Sequence, residues 1–429
     1  MVRLRTRWKS WKRSPRGATV LRVGYVFFVI VALFVPVWSA ASPAGGADDS
    51  GRIVAVGDVH GNLDQLTTAL RLSGLIDDSH VWIGGDATFV LTGDFTDRGP
   101  RVREVMDLLM RLETEAPRHG GRVVVLFGNH EMMNLIGDLR YVTERIYADF
   151  AGTNAAKRRD HAYKQYASWL QAQARLFGEP LPADWREIEL EWMEAHPLGY
   201  VEYVEAMGVK GRYGKWLRRL PVAAQIGDCI FLHAGIHPNL RDLNVDEINR
   251  RVDRERKAFD SWREILFGQR MISPYASLGE TIAAATRHLE RLSEAARRGR
   301  TVSTFHGLPA DHLAQVLSAF LGMGDWLSMH PDGPLWFRGF ATWSEEEGTP
   351  QVAATLESLG ARHFVVSHTV LSEGEIGVRF DGRVFLIDTD LPSALVIEEG
   401  RFRAVYSHGV RELSVGEPAV RPMVEVIRR

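Results

Sequence analysis

The apolar positions of this chain fall into short, unbroken β-branched runs separated by stretches with helical period. Ile53-Val54-Ala55-Val56, Phe89-Val90-Leu91, Val123-Val124-Val125-Leu126-Phe127, Cys229-Ile230-Phe231-Leu232 and Phe364-Val365-Val366 are the clearest runs. Such apolar, β-branched runs, closed by Gly and polar residues, predict strands. Between the first three runs, Leu63–Leu72 and Val102–Leu112 carry helical spacing, with Val102, Val105, Met106, Leu109 and Leu112 on one face. Residues 52–135 therefore read as βαβαβ, which predicts an α/β sheet. From about Leu139 to Leu220 the texture becomes helical, with Tyr163, Tyr166, Ala167, Leu170, Ala174 and Leu176 in period and a short helix over Trp185–Met193. A second helical stretch runs from about Val245 to His330 and places Val252, Phe259, Trp262 and Leu266 on one face, continued by Ile282, Leu289 and Leu292. Arg287, Arg291, Arg297, Arg298 and Arg300 then form a basic face, most simply a solvated one. Near the end, Ile376–Phe380, Arg383–Ile387 and Ala394–Ile397 predict antiparallel strands with Asp381-Gly382 as a hairpin turn.

The first fifty residues depart from this pattern. Arg3, Arg5, Arg7, Lys9, Lys12, Arg13, Arg16 and Arg22 form a basic flank, Val23–Trp38 is apolar and uncharged, and Ser39–Pro43 supplies small residues. That order describes an export signal over residues 1–47. The alternative is an uncleaved anchor through residues 23–38, since the run approaches the ~17 residues that span a bilayer. Both place residues 48–429 outside the cytoplasm, in a periplasmic or other extracytoplasmic space. The rest of the 429 residues, 45% hydrophobic and 25% charged, has ordinary globular composition. Without residues 1–47 the chain holds 44 Lys and Arg against 54 Asp and Glu, a net charge of −10. A surface of that sign repels a phosphate backbone, so nucleic acid is not an expected partner. Cys229 is the sole cysteine, so no internal disulfide is possible, and its place in a strand predicts a buried thiol.

Each apolar run ends on a residue able to hold a metal. The first delivers Asp58 and His60 in Gly57-Asp58-Val59-His60-Gly61, and the second delivers Asp94 in Gly93-Asp94-Phe95-Thr96-Asp97-Arg98-Gly99. The third delivers Asn129 in Gly128-Asn129-His130-Glu131, the fourth His233 and the fifth His368. One Asp-X-His-Gly by itself is an ordinary turn. Five strand ends with compatible ligands are not, because α/β folds gather sites at the carboxyl ends of their strands. Two Asp, one Asn and three His form a mixed oxygen and imidazole set suited to two divalent transition metal ions, with Mn, Fe and Zn all acceptable.

These motifs, GDVHG, GDFTDRG, GNHE, LHAG and VVSHT, resemble the phosphoprotein-phosphatase branch of the calcineurin-like metallophosphoesterases. GNHEMMN and Pro334-Leu335-Trp336-Phe337-Arg338-Gly339 are most similar to its bacterial-type Shewanella-like phosphatases. The resemblance spans about residues 52–390 and implies a metallophosphoesterase-type β-sandwich flanked by helices, with two helical insertions at about 139–220 and 245–330. It implies that Asp58 and His60 hold one metal, that Asp94 bridges both, and that Asn129, His233 and His368 complete the other; a carboxylate suits such a bridge because each oxygen can serve one ion. It assigns His130 as the acid that protonates the leaving oxygen, Asp97 as its orienting partner, and Arg98 and Arg338 as the phosphate clamp. Glu131 is left as a supporting residue, and His237, His306 and His408 as ordinary histidines. Ser367 stands where Gly is usual and Thr96 where Val is common, and the SAPNY-type loop of the eukaryotic enzymes is absent. The activity implied is a metal-dependent phosphoprotein phosphatase acting on Ser/Thr or Tyr. The alternative on the same site is a small-molecule phosphohydrolase for nucleotides, dinucleoside polyphosphates or phosphomonoesters. A non-catalytic module would have lost a ligand or the Asp97–His130 pair, and none is lost. The insertions join the chain at the ligand-bearing rim, so they are expected to wall the cleft, the alternative being packing on the far side of the sheets.

Overall fold

The computed structural model of the protein describes residues 51–371 and 374–415. The basic flank, the apolar run at 23–38 and the export reading of residues 1–47 lie outside the described residues. Among the described residues no helix is long and apolar enough to cross a membrane.

Two sheets face each other. The first has β1 (Ile53–Val56), β2 (Thr88–Leu91) and β3 (Arg122–Val125) in parallel register, Ile53 opposite Thr88 and Thr88 opposite Arg122. The second contains β4 (Ala223–Ile226), β5 (Cys229–Leu232), β6 (His363–Val366), β7 (Gly377–Arg379) and β8 (Val384–Leu386), in the order β4-β5-β6-β8-β7. Antiparallel β9 (Ser393–Glu398), β10 (Arg401–Tyr406) and β11 (Gly409–Leu413) complete the first sheet in the order β11-β10-β9-β1-β2-β3. Alternate side chains of each strand serve different cores. Ile53, Ala55, Val90 and Val124 point between the sheets with Cys229, Phe231, Val365 and Phe385, while Val54, Val56, Phe89 and Leu91 pack on the flanking helices. Burial on both faces explains the unbroken apolar runs, each Val, Leu, Ile or Phe contributing ~1.5–3 kcal/mol. Cys229 lies in the inter-sheet core, where burial and then Asp228 push its thiol up to about 12, so it is inert.

The helices are α1 (Leu63–Leu72), α2 (Val102–Glu115), α3 (Asn129–Ile136), α4 (Glu144–Phe150), α5 (Ala155–Phe177), α6 (Trp185–Ala195), α7 (Tyr200–Met207) and α8 (Arg212–Leu217). Beyond β5 follow α9 (Val245–Gly268), α10 (Leu278–Arg297), α11 (Ala310–Leu321), α12 (Gly339–Thr342) and α13 (Glu345–Leu359). The helical stretches predicted at 139–220 and 245–330 are α4–α8 and α9–α11. Two expectations need correction. The predicted third strand of the C-terminal meander, β9, leaves its hairpin partners β7 and β8 and joins β1 in the other sheet, Ile53 opposite Ile397. Pairing there buries both of its faces, where a place beside β7 would expose one. The basic face of α10 is also not wholly solvated, since the Arg287 guanidinium lies 3.7 Å from the centre of the Phe177 ring and pairs with Glu179.

Candidate active site

Strands β1, β2, β3, β5 and β6 end at one rim, and the sequence-predicted ligands follow them there. Close approach of the strand ends is needed. A Cβ on Gly57 would collide with the Ile387 carbonyl at the end of β8, and one on Gly128 would press on Asp94 and Glu131. Five site residues that are not glycine hold left-handed backbone: His60 (φ 41°), Asp94 (49°), Asp97 (67°), Arg98 (60°) and His368 (68°). Such conformations cost on the order of 1 kcal/mol or more each and persist only where surrounding bonds enforce them.

Glu131 supplies much of that enforcement. Its buried Oε1 accepts from Phe95 N (3.1 Å), Thr96 N (3.0 Å) and Thr96 Oγ1 (2.8 Å), and Oε2 accepts from Asp94 N (2.9 Å) and Gly128 N (2.8 Å). One carboxylate thus ties the loop after β2 to the turn after β3. Thr96, one of the two departures from the usual motif, contributes a donor that Val would lack. The other, Ser367, takes a hydrogen bond from Thr92 Oγ1 (3.0 Å), joining the ends of β2 and β6. Burial and the Asp94 charge push the Glu131 pKa up, and the Thr96 and Gly128 donors hold it down.

Asp94 is the hub of the ligand set. Its Oδ1 accepts His130 N (3.0 Å), while Oδ2 lies 3.8 Å from His60 Nε2, 3.4 Å from His233 Nε2 and 3.8 Å from His130 Nε2. Oδ2 thus lies toward both ligand groups. His60 Nδ1 donates to the Thr96 carbonyl (3.1 Å) and His233 Nδ1 to the Thr92 carbonyl (3.0 Å), which leaves both Nε2 lone pairs facing inward. His233 Nε2 then meets Asn129 Oδ1 at 2.7 Å and His368 Nδ1 at 3.1 Å. Lone pairs converge there, and Asp58 Oδ1 and His368 Nε2 are buried with no hydrogen-bond partner among the described residues. Burial brings the His60 pKa to about 3 and, with His233 and Arg338, holds His368 well below the ordinary value, so both rings are neutral, as metal ligands must be. This donor set fits divalent cations: Asp58, His60 and Asp94 could hold one, and Asp94, Asn129, His233 and His368 a second.

His130 faces the same centre with a different bonding pattern. Its Nδ1 is 2.7 Å from Asp97 Oδ2, and its Nε2 is 3.2 Å from Arg98 Nη2. Burial disfavours the imidazolium, but the charge of Asp94 and the hydrogen bond and charge of Asp97 outweigh it and raise the His130 pKa. Arg98 lies over Tyr141 with its guanidinium 5.8 Å from the ring centre. Arg338 Nη1 donates to the His368 carbonyl (3.1 Å) and Thr369 Oγ1 (2.9 Å), which fixes it beside the ligand loop after β6. Both arginines line one cleft of about 760 Å³ together with Asp58, Asp94, Asn129, His130 and His368. Its walls carry Tyr141, Trp336, Phe337 and Trp343.

Asp388, Tyr141 and His237 are among the cleft residues to which the sequence reading gave no role in the site. Asp388 follows β8, so Val384-Phe385-Leu386-Ile387-Asp388 is the same strand-to-ligand pattern as the other five and was legible as such. Burial and the Asp94 charge raise its pKa to about 7, the neighbouring His233 opposing them. Tyr141 had no local signal. His237, read as an ordinary histidine, lines the cleft and sits edge-on to Phe337 at 5.3 Å. The insertions wall the cleft only at their roots, through Arg140, Tyr141 and Met329. Their helices pack elsewhere, α4 on α2 and α9 on β4, so the expectation that they form the cleft walls is largely overturned.

The sequence profile of the calcineurin-like phosphoesterase family matches residues 51–290. Shewanella-like protein phosphatase 2 of Arabidopsis thaliana is 31% identical over 202 residues, 47% of this chain and 50% of that protein. An uncharacterized protein of Schizosaccharomyces pombe is 25% identical over 355 residues, 82% of this chain and 76% of its own length. The cold-active protein-tyrosine phosphatase of a psychrophilic Shewanella shares the fold, with a TM-score of 0.52 at 22% identity over 86% of this chain and 85% of that one. The chain thus spans about half the length of the Arabidopsis relative, while the segment matched by the family profile, residues 51–290, contains Asp58, His60, Asp94, Asn129, His130 and His233. With more than half its length under that profile and the motifs' residues gathered at one rim, the chain belongs to the calcineurin-like phosphoesterase family.

Proposed function

We propose that this protein is a metal-dependent phosphoprotein phosphatase that uses two divalent transition metal ions, with phosphotyrosyl side chains its preferred substrates. One juxtaposition carries the reading: the His130–Asp97 pair and the other five candidate ligands gather about Asp94 beside an aromatic-walled cleft. Divalent ions held by those ligands supply Lewis-acid polarisation of the phosphoryl group and lower the pKa of the attacking water. Arg98 and Arg338 bind the remaining phosphoryl oxygens as guanidinium forks. Water attacks phosphorus and gives up one proton to solvent, the bond to the leaving oxygen breaks, and His130 Nε2 delivers the proton that releases a neutral phenol or alcohol and leaves hydrogen phosphate. Asp97 holds the ring so that Nε2 faces the cleft. Tyr141, Trp336 and Trp343 offer apolar surface to an aryl ring, which a phosphoseryl side chain cannot use. The basic and apolar pattern of residues 1–47 supports export, with the enzyme acting outside the cytoplasm.

The test is a panel of phosphotyrosyl and phosphoseryl peptides, nucleotides and sugar phosphates, with Mn, Fe or Zn supplied separately. Highest kcat/KM on phosphotyrosyl peptides is the expected result. Preference for dinucleoside polyphosphates would overturn the protein-substrate reading and restore the small-molecule alternative.

A further inference from the structure

Asp97 is fully buried and has two oxygens to satisfy. Oδ2 faces His130 Nδ1 at 2.7 Å, and Oδ1 accepts Asn134 Nδ2 at 2.8 Å. The same Nδ2 donates to the His130 carbonyl at 2.8 Å, one turn back along α3. Asn134 Oδ1 accepts the Tyr203 hydroxyl. These partners fix the amide's orientation. Turned over, Asn134 would set its oxygen against the Asp97 carboxylate and the His130 carbonyl, and its NH₂ against a hydroxyl already able to donate. Tyr203 is itself immobilised. It is fully buried on α7, with Tyr147 edge-on at 5.4 Å and 88° and Phe150 at 4.9 Å and 79°. Tyr147 and Phe150 belong to α4, so a neighbouring helix of the first insertion grips the phenol carried by α7.

We propose that Asn134 and Tyr203 are positioning residues for the Asp97–His130 pair, so that the first insertion sets the aim of the proton donor through the chain Tyr203–Asn134–Asp97–His130. The physical reason is geometric. A carboxylate with one oxygen pinned presents the other in a single direction, and a ring held on that oxygen keeps Nε2 aligned with the leaving group. Misalignment by about 1 Å is enough to lose up to a hundredfold in rate. The insertion, contributing few residues to the cleft wall, thereby gains a role in the reaction as well as in the core. The inference rests on the reading of His130 as the leaving-group acid.

The experiment compares Tyr203→Phe, Asn134→Ala, His130→Asn and the double variant Tyr203→Phe/His130→Asn on aryl phosphates graded by leaving-group acidity, with bound metal measured for each. Tyr203→Phe keeps the ring between Tyr147 and Phe150 and removes only the donor. It should lower kcat on the poorest leaving group by about tenfold, with a smaller loss on the most activated ester and unchanged KM and metal content, because only proton delivery is disturbed. Asn134→Ala should steepen the leaving-group dependence further. In the His130→Asn background, Tyr203→Phe should add no further loss. Equal losses by Tyr203→Phe across the series, or full additivity with His130→Asn, would overturn the proposal. If His130→Asn itself loses equally on every ester, the reading of His130 fails and the inference falls with it. If His130→Asn is selective and Tyr203→Phe is not, only the inference falls. Should Tyr203→Phe fold poorly, Asn134→Ala decides by the same slope.

Discussion

Replacing Glu131 by Gln tests whether one buried carboxylate holds the site's strained loops in place. The substitution keeps size and shape and removes one acceptor oxygen with the charge. If the Gln oxygen takes the Oε1 position, its NH₂ faces the Asp94 and Gly128 N–H groups, donors that now sit at 2.9 and 2.8 Å from Oε2. If it turns over, the NH₂ faces the Phe95 and Thr96 N–H groups, at 3.1 and 3.0 Å from Oε1, while the Thr96 hydroxyl can rotate to accept. Either way two buried backbone donors lose their partner. Each orphan costs about 1–3 kcal/mol, so the loss is about 2–6 kcal/mol. The packing around Gly128, where a single Cβ would press on Asp94 and Glu131, leaves no room for a rescuing water. Against a total stability of about 5–15 kcal/mol this is a large fraction. Urea unfolding with and without chelator measures it, the chelated protein reporting the loops alone. Elemental analysis should also show metal loss, because Asp94 is the residue whose backbone is released. An unchanged midpoint and full metal content in Glu131→Gln would refute the reasoning.

Three further outcomes are expected. Asp94→Asn should lose most of its bound metal, since Oδ2 is the oxygen nearest both ligand groups; full occupancy with normal activity would end the hub assignment. A chain beginning at Ala47 should fold and turn over phosphoesters as fast as the full sequence, because the first strand starts at Ile53; inactivity after metal loading would count against the export reading. Buried His288, hydrogen-bonded to Gln173 at 3.0 Å, has its pKa lowered to about 4 by burial, then by Arg291 and Arg287. The unfolded chain takes up that proton first, so its contribution is complete above about pH 6.5 and lost as pH falls to about 4, by up to about 3 kcal/mol. His288→Gln should flatten the urea midpoint over that window, and an unchanged slope would contradict the assignment.

Much of the site was legible because its chemistry is local. Asp58, His60, Asp94, Asn129, His233 and His368 each follow a strand, and the apolar run that announces the strand also announces where its end lies. Parallel strands carry their ends to one rim, so residues more than three hundred positions apart meet without any further signal. Asp388 carries the same signal, an acid directly after an apolar run, and the sequence reading passed over it. What only the tertiary structure decided were the contacts that depend on how separate elements dock. Nothing local to Tyr203 says that its hydroxyl reaches Asn134, nor does Glu131 announce the five donors it gathers from two loops. The side of the sandwich joined by β9 was equally hidden, since its unbroken apolar run announces burial on both faces and does not name the strand that lies beside it. The insertions show the same division. Their helices could be read from apolar period, but period gives the buried face and not what it is buried against. The sequence by itself determined which candidate groups gather at the rim, through the short-range rule that a strand end fixes a side chain. Tertiary packing decided what aims and braces them, because those partners are set by the docking of surfaces far apart in the chain.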